Sequence, residues 1–246
     1  RQPPANIKLV EAWRYLLTGD LEAGADGALL LAALAYRFPS YDWQVHNLDH
    51  IIPFTRVFEA GSVFGRGGSY QGWSTPEFER VIRAYDMLFP YIQDNAELAE
   101  RVGRFVPWVK TPDDVVKLID TFLVQRGAQD AIQQILYSHA LPVAAVVLGP
   151  HPVSERYLDT YFRKIYFRDT LCGFLDDMVN GYSRDGLNYI GSSYYAVGES
   201  IGELMASVDL FRSYVRAGGA PRYNLADPKR HPRLSAMPDA VLRLHV

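Results

Sequence analysis

Apolar positions recur along this chain at helical spacing, separated by short polar or glycine-rich breaks. Over 7–18, Ile7, Val10, Trp13, Leu16 and Leu17 fall three or four residues apart, which predicts a helix closed by Gly19-Asp20. Residues 25–37 are rich in Ala and Leu and read as a helix buried on most sides. A further pattern covers 42–60, with Asp42 as N-cap and Gly61 as stop. Thr75-Pro76-Glu77 gives a capping residue followed by Pro in the first turn, the start of a helix to about Ile92. Residues 94–106 predict another, and Thr111-Pro112-Asp113-Asp114 repeats the start signal for a helix to about Gln125. The patterns over 128–148, 153–180 and 193–217 complete the series, and Gly218-Gly219 ends it.

Strand alternation is nearly absent until Leu242-Arg243-Leu244-His245-Val246, which reads like the opening of a strand. Helix after helix predicts an all-α fold. An α/α toroid of antiparallel pairs, a solenoid of helix pairs and an irregular bundle all fit. No strict period is present, which argues against a regular repeat array. The organisation predicted is a helical domain over 1–219 and a basic linker over 220–246, where Pro, Arg, Lys and His accumulate.

Two breaks stand out. Residues 61–75 form a long Gly- and aromatic-rich loop containing Arg66, Tyr70 and Trp73. Asp185-Gly186-Leu187-Asn188-Tyr189-Ile190-Gly191-Ser192-Ser193-Tyr194-Tyr195 clusters hydroxyls, an amide and phenols between two helical patterns. Polar groups on loops held by rigid helices are where binding and catalysis concentrate.

Composition narrows the classes. The 246 residues are 48% hydrophobic, enough for one large domain, and the net charge of -3 gives no sign of a nucleic-acid partner. No apolar run reaches membrane-spanning length. Aromatics at 13% suit a cleft for a ring-shaped ligand, although most belong in an ordinary core or rim. The single Cys172 excludes an internal disulfide and a cysteine metal cluster; on a helical pattern it reads as an inert buried thiol. The chain opens without Met or a signal h-region, as a processed form or an excised piece would.

His46 and His50 stand at i and i+4 with Asp49 between them, a spacing that can hold a metal. They lack the Glu of the zinc-protease motif and any evident third ligand, so no metal site is assigned. Asp176, Asp177 and Asp185 offer carboxylates for glycoside hydrolysis, but the first two diverge on a helix and the third precedes Gly186 as a turn former. His139 interrupts an apolar helix, where a satisfied core histidine is the ordinary reading. Tyr137 and Pro142 nearby keep a cleft position open as the second reading.

Four segments in order resemble a known group. Ala12-Trp13-Arg14-Tyr15-Leu16-Leu17-Thr18-Gly19-Asp20, Ala84-Tyr85-Asp86-Met87-Leu88, Ser138-His139 ahead of Ala144–Gly149, and the Asp185–Tyr195 loop are similar to segments of polysaccharide lyases of the heparinase II/III and alginate lyase type. The 56 residues from His139 to Tyr195 resemble that family's spacing. The resemblance implies an incomplete α/α toroid followed by a β-sandwich domain. It also implies cleavage of acidic, uronate-containing poly- or oligosaccharides by β-elimination. Carried over, Tyr195 is the catalytic acid and base, and His139 assists at the carboxylate or the C5 proton. Ser138, Tyr137, Asn188, Tyr189, Arg184, Arg66, Tyr70 and Trp73 are candidates for sugar contact. Ser138 replaces the family's Asn, and Ile190 stands where the loop often carries Glu. The resemblance implies no cofactor for this domain, a structural metal at most in the β domain, and a periplasmic or secreted location. A non-catalytic carbohydrate-binding toroid, a glycoside hydrolase on the same architecture and a helical scaffold for protein partners are the alternatives.

Overall fold

The structure is a computed structural model. It describes residues 10–40, 79–126, 140–161, 205–232 and 234–236 in full, and the backbone of 5–9, 43–44, 65–66, 75–78, 127, 162–163, 165–167, 170–172 and 200–204. The described chain is mostly helical, as an all-α fold requires.

Helix α1 spans Ala5–Thr18 and α2 spans Leu21–Arg37. Gly19, with φ 71°, takes the left-handed turn between them. Asp20 then caps α2, its carboxylate accepting from the Glu22 and Ala23 amides at 2.9 and 3.2 Å. The helix therefore starts earlier than its Ala/Leu run suggests. The two helices are antiparallel: Tyr15 packs over Gly24 and Glu11 over Gly27. The missing Cβ atoms of these glycines let α1 and α3 (Thr75–Ile92) press closely on α2, with Leu88 of α3 also over Gly27.

This packing turns α1 differently from its apolar pattern. Ala12 is fully buried and Tyr15 half-buried, whereas Val10, Leu16 and Leu17 are 59, 51 and 74% exposed. Nor is α2 buried on most sides. Ala23, Gly24, Gly27, Ala28, Leu31, Ala32 and Ala35 form one buried face, and Leu29, Leu30 and Ala33 remain partly open.

Asn95 caps α4 (Ala96–Gly103) through the Leu98 amide at 2.8 Å. Thr111 and Asp114 form a full capping box at the head of α5 (Pro112–Ile119). The chain continues from α5 as a π-helix over Asp120–Gly127. Helix α6 (Ala140–Leu148) is buried along Ala140–Ala145 and packs on α3, α7 (Pro152–Arg163) and α8 (Ser200–Arg216). One core runs through these elements, from Ala12 and Leu31 through Tyr85 and Leu88 to Tyr161, Phe211 and Tyr214. Tyr223, Leu225 and Leu234 extend it into residues 220–236.

Two short antiparallel ribbons correct the helical expectations. β1 (Trp43–Gln44) pairs with β2 (Gly65–Arg66), so the helix predicted over 42–60 does not include Trp43-Gln44. β3 (Ile165–Phe167) pairs with β4 (Thr170–Cys172), so the helix predicted over 153–180 ends at Arg163. The run Ile165-Tyr166-Phe167 carries β-branched and aromatic residues that favour a pleated ribbon. Cys172 consequently lies at the end of a strand rather than on a helix.

Candidate functional site

His139 and Tyr195, the proposed catalytic pair, lie outside the described residues, as do Tyr137, Ser138, Arg184, Asn188, Tyr189, Tyr70 and Trp73. So do His46, Asp49, His50, Asp176, Asp177 and Asp185. Arg66 is described through its backbone alone: it is the last residue of β2, opposite Trp43, and not part of an open loop. What the described part supplies is the elements that flank several of these positions in the sequence.

Three such elements are described. The residue after His139 is Ala140, at the head of the described part of α6. This helix is apolar on every side because it is the inner helix of the packing. The π-helix Asp120–Gly127 precedes Tyr137, Ser138 and His139 in the sequence. Such wider turns are rare and recur near functional sites. Tyr157 of α7 fastens it by donating to the Gln125 carbonyl at 2.9 Å. Helix α8, which begins at Ser200, follows the Asp185–Tyr195 segment in the sequence. It is anchored to α7 by a buried hydrogen bond of 3.0 Å between the Tyr161 and Ser207 hydroxyls.

The resembling segments divide by role. In Ala84-Tyr85-Asp86-Met87-Leu88, Ala84, Tyr85 and Leu88 are buried and Asp86 is exposed. That is the i, i+1, i+4 signature of a helix face in a core. In the first segment, Arg14 pairs with Asp20 at 2.6 Å, which clasps the α1–α2 turn. Both segments therefore do structural work.

One polar feature was not singled out by the sequence. Tyr85 is 1% exposed, and no group meets its hydroxyl in full hydrogen-bonding geometry. The Asp120 carboxyl lies close enough to bear on it, and burial together with that carboxyl raises the phenol well beyond its ordinary range. Asp120 itself is pushed upward, first by burial, against the opposing pull of the Tyr85 hydroxyl and of His151. The available signal was a lone Asp in the apolar stretch Val115–Val124.

The other described tyrosines with shifted pKa values move the same way. Burial raises Tyr214, and burial with the hydrogen bond to Asp159 pushes Tyr223 up to about 12. Tyr223 donates to Asp159 at 2.6 Å and receives Arg222 at 2.8 Å, so it is a clasp between α7 and residues 220–236. A phenol that abstracts a proton needs the opposite shift. Tyr85, Tyr214 and Tyr223 are thus unsuited to the role assigned to Tyr195.

Among the described residues no group of His, Cys, Asp and Glu could hold a metal ion. Among them also, no helix is long and apolar enough to cross a membrane. No protein-family model, curated protein or solved structure matches the chain.

Proposed function

We propose that the chain is the helical domain of a polysaccharide lyase acting on a uronate-containing glycan. The observation that carries this reading is the order and spacing of the Trp13, Tyr85, Ser138-His139 and Asp185–Tyr195 segments along one chain. The helical character of the described residues is compatible with it. The toroidal closure of the helices and the β-sandwich domain belong to the proposal.

The chemistry assigns each residue a task. His139 sits against the uronate carboxylate or the C5 proton, so that negative charge building at C5 is stabilised. Tyr195, as phenolate, takes the C5 proton. The electron pair left behind forms the C4–C5 double bond, the C4–O bond breaks, and the phenol returns its proton to the leaving oxygen. A free tyrosine titrates at about 10, so this scheme needs a neighbouring cation, for which Arg184 and His139 are the candidates. Tyr137, Asn188, Tyr189, Arg66, Tyr70 and Trp73 would contact sugar rings. The hydroxyl of Ser138 is shorter than the family's amide and leaves more of the carboxylate to His139.

The test is turnover of alginate- and glycosaminoglycan-like polymers, followed by the ultraviolet absorbance of the unsaturated uronate. Wild type should generate it, Tyr195→Phe should abolish it, and both should unfold alike. A Tyr195→Phe variant with wild-type turnover would remove Tyr195 from the chemistry. Oligosaccharide binding by calorimetry without any product would replace the enzyme with a carbohydrate-binding domain, the reading that Ser138 in place of Asn favours.

A further inference from the structure

Most of the large apolar side chains exposed among the described residues belong to the first two helices. Of the eight, six lie on α1 and α2 or the turn between them: Val10, Trp13, Leu16, Leu17, Leu21 and Tyr36. Apolar side chains left in water by two packed helices point to a surface that something else covers. A cavity of about 470 Å³ opens along α2, lined by Glu11, Asp26, Leu29, Leu30, Ala33 and Phe105.

The pattern along α2 identifies what fits. Asp26, Leu30, Ala33 and Arg37 are spaced 4, 3 and 4 residues apart, which puts them on one continuous stripe. Asp26 and Arg37 are exposed at its ends, and Leu30 and Ala33 are half-buried at its centre. No ion pair engages Asp26 or Arg37 among the described residues. We infer that α2 packs antiparallel against α2 of a second copy of this chain, about a two-fold axis between Leu30 and Ala33. In that register Leu30 of each copy meets Ala33 of the other, large against small. Asp26 of each meets Arg37 of the other, so both ends are paired by opposite charge. An isologous contact requires such self-complementarity, and this stripe has it in both volume and charge. The antiparallel arrangement also sets the two helix dipoles in opposition. The inference is independent of the lyase reading, since none of its residues is assigned to substrate.

Sedimentation velocity of the 246-residue chain over a dilution series provides the test. Wild type should sediment as a dimer that dissociates on dilution. Asp26→Arg places two pairs of like charges across the axis and should weaken association at least about tenfold. Combining it with Arg37→Asp exchanges the signs and should restore wild-type affinity. Leu30→Glu should give monomer. Circular dichroism and thermal unfolding verify that each variant is folded, which the exposure of positions 26 and 37 favours. A wild type that stays monomeric at every concentration overturns the inference and assigns the surface to a different partner or segment. So does a dimer indifferent to Asp26→Arg and Leu30→Glu. Failure of the charge exchange to restore binding overturns the antiparallel register.

Discussion

Replacing Gly27 by Ala tests the packing of the three N-terminal helices, because two effects of similar size oppose each other there. Ala is favoured over Gly inside a helix by about 1 kcal/mol. At Gly27, however, a Cβ would lie 2.8 Å from Cδ1 of Leu88 and 3.5 Å from Cβ of Glu11. Relaxed carbon contacts are about 3.5–4.0 Å, so Leu88 must retreat by roughly 0.7 Å. Leu88 is 0% exposed, so its retreat presses on the core side chains around it. Overpacking a closed core costs about 1–3 kcal/mol. The clash therefore outweighs the propensity gain, and the net effect expected is a loss of about 1 kcal/mol. Urea unfolding read by circular dichroism gives the value, provided the slope m stays constant. The decisive measurement is the cycle with Leu88→Ala, which alone should cost about 2–5 kcal/mol. Because the methyl introduced at position 27 would then occupy part of the vacated space, the double variant should be more stable than the sum of the singles by at least about 0.5 kcal/mol. A Gly27→Ala protein stabilised by the full propensity term, or strict additivity with Leu88→Ala, would refute the close approach of α2 and α3.

Further outcomes follow from the polar contacts. Tyr161→Phe should cost about 1–3 kcal/mol in chemical denaturation, because the fully buried Ser207 hydroxyl loses its partner, and adding Ser207→Ala should recover part of that loss. Thr111→Ala removes one half of the capping box of α5 and should lower stability by about 1 kcal/mol, measured the same way. Asp120 gives a pH signature. Its folded pKa is raised by burial, so its contribution is fully present below the unfolded value of about 3.9 and is lost as pH rises through the folded value. Asp120→Asn should thus be more stable than wild type at neutral pH, with the difference vanishing in acid; a difference that persists unchanged in acid would contradict the assignment. Asp114, lowered chiefly by the Lys110 amide, has the opposite sign: its contribution is present above the unfolded value and disappears as pH falls through the folded one.

Local chemistry made part of the fold readable. Thr111-Pro112-Asp113-Asp114 announces α5 because a hydroxyl, a fixed φ and a carboxylate satisfy the orphan amides of a helix start without help from the rest of the chain. Thr75-Pro76 falls at the head of α3, as its Pro in the first turn predicts, and Gly19 permits the turn after α1. The Ala84-Tyr85-Leu88 face follows from helical geometry alone. The candidate site was legible only as a linear series of motifs, since convergence of distant side chains is not a property of sequence.

Tertiary structure decided which apolar residues count as core. Val10, Leu16 and Leu17 satisfy helical periodicity as well as Ala12 does, yet the close contacts at Gly24 and Gly27 turn Ala12 and Tyr15 inward and leave the larger side chains outside. Periodicity reports that a helix has an apolar side; only the shape of its neighbour determines which side is buried. The ribbons at 43–44 with 65–66 and at 165–167 with 170–172 were likewise invisible, because a strand of two or three residues has too few positions to establish alternation. Asp120 was assigned its place beside Tyr85 by the packing of α3 against the π-helix, a contact between residues 35 positions apart that no local rule encodes.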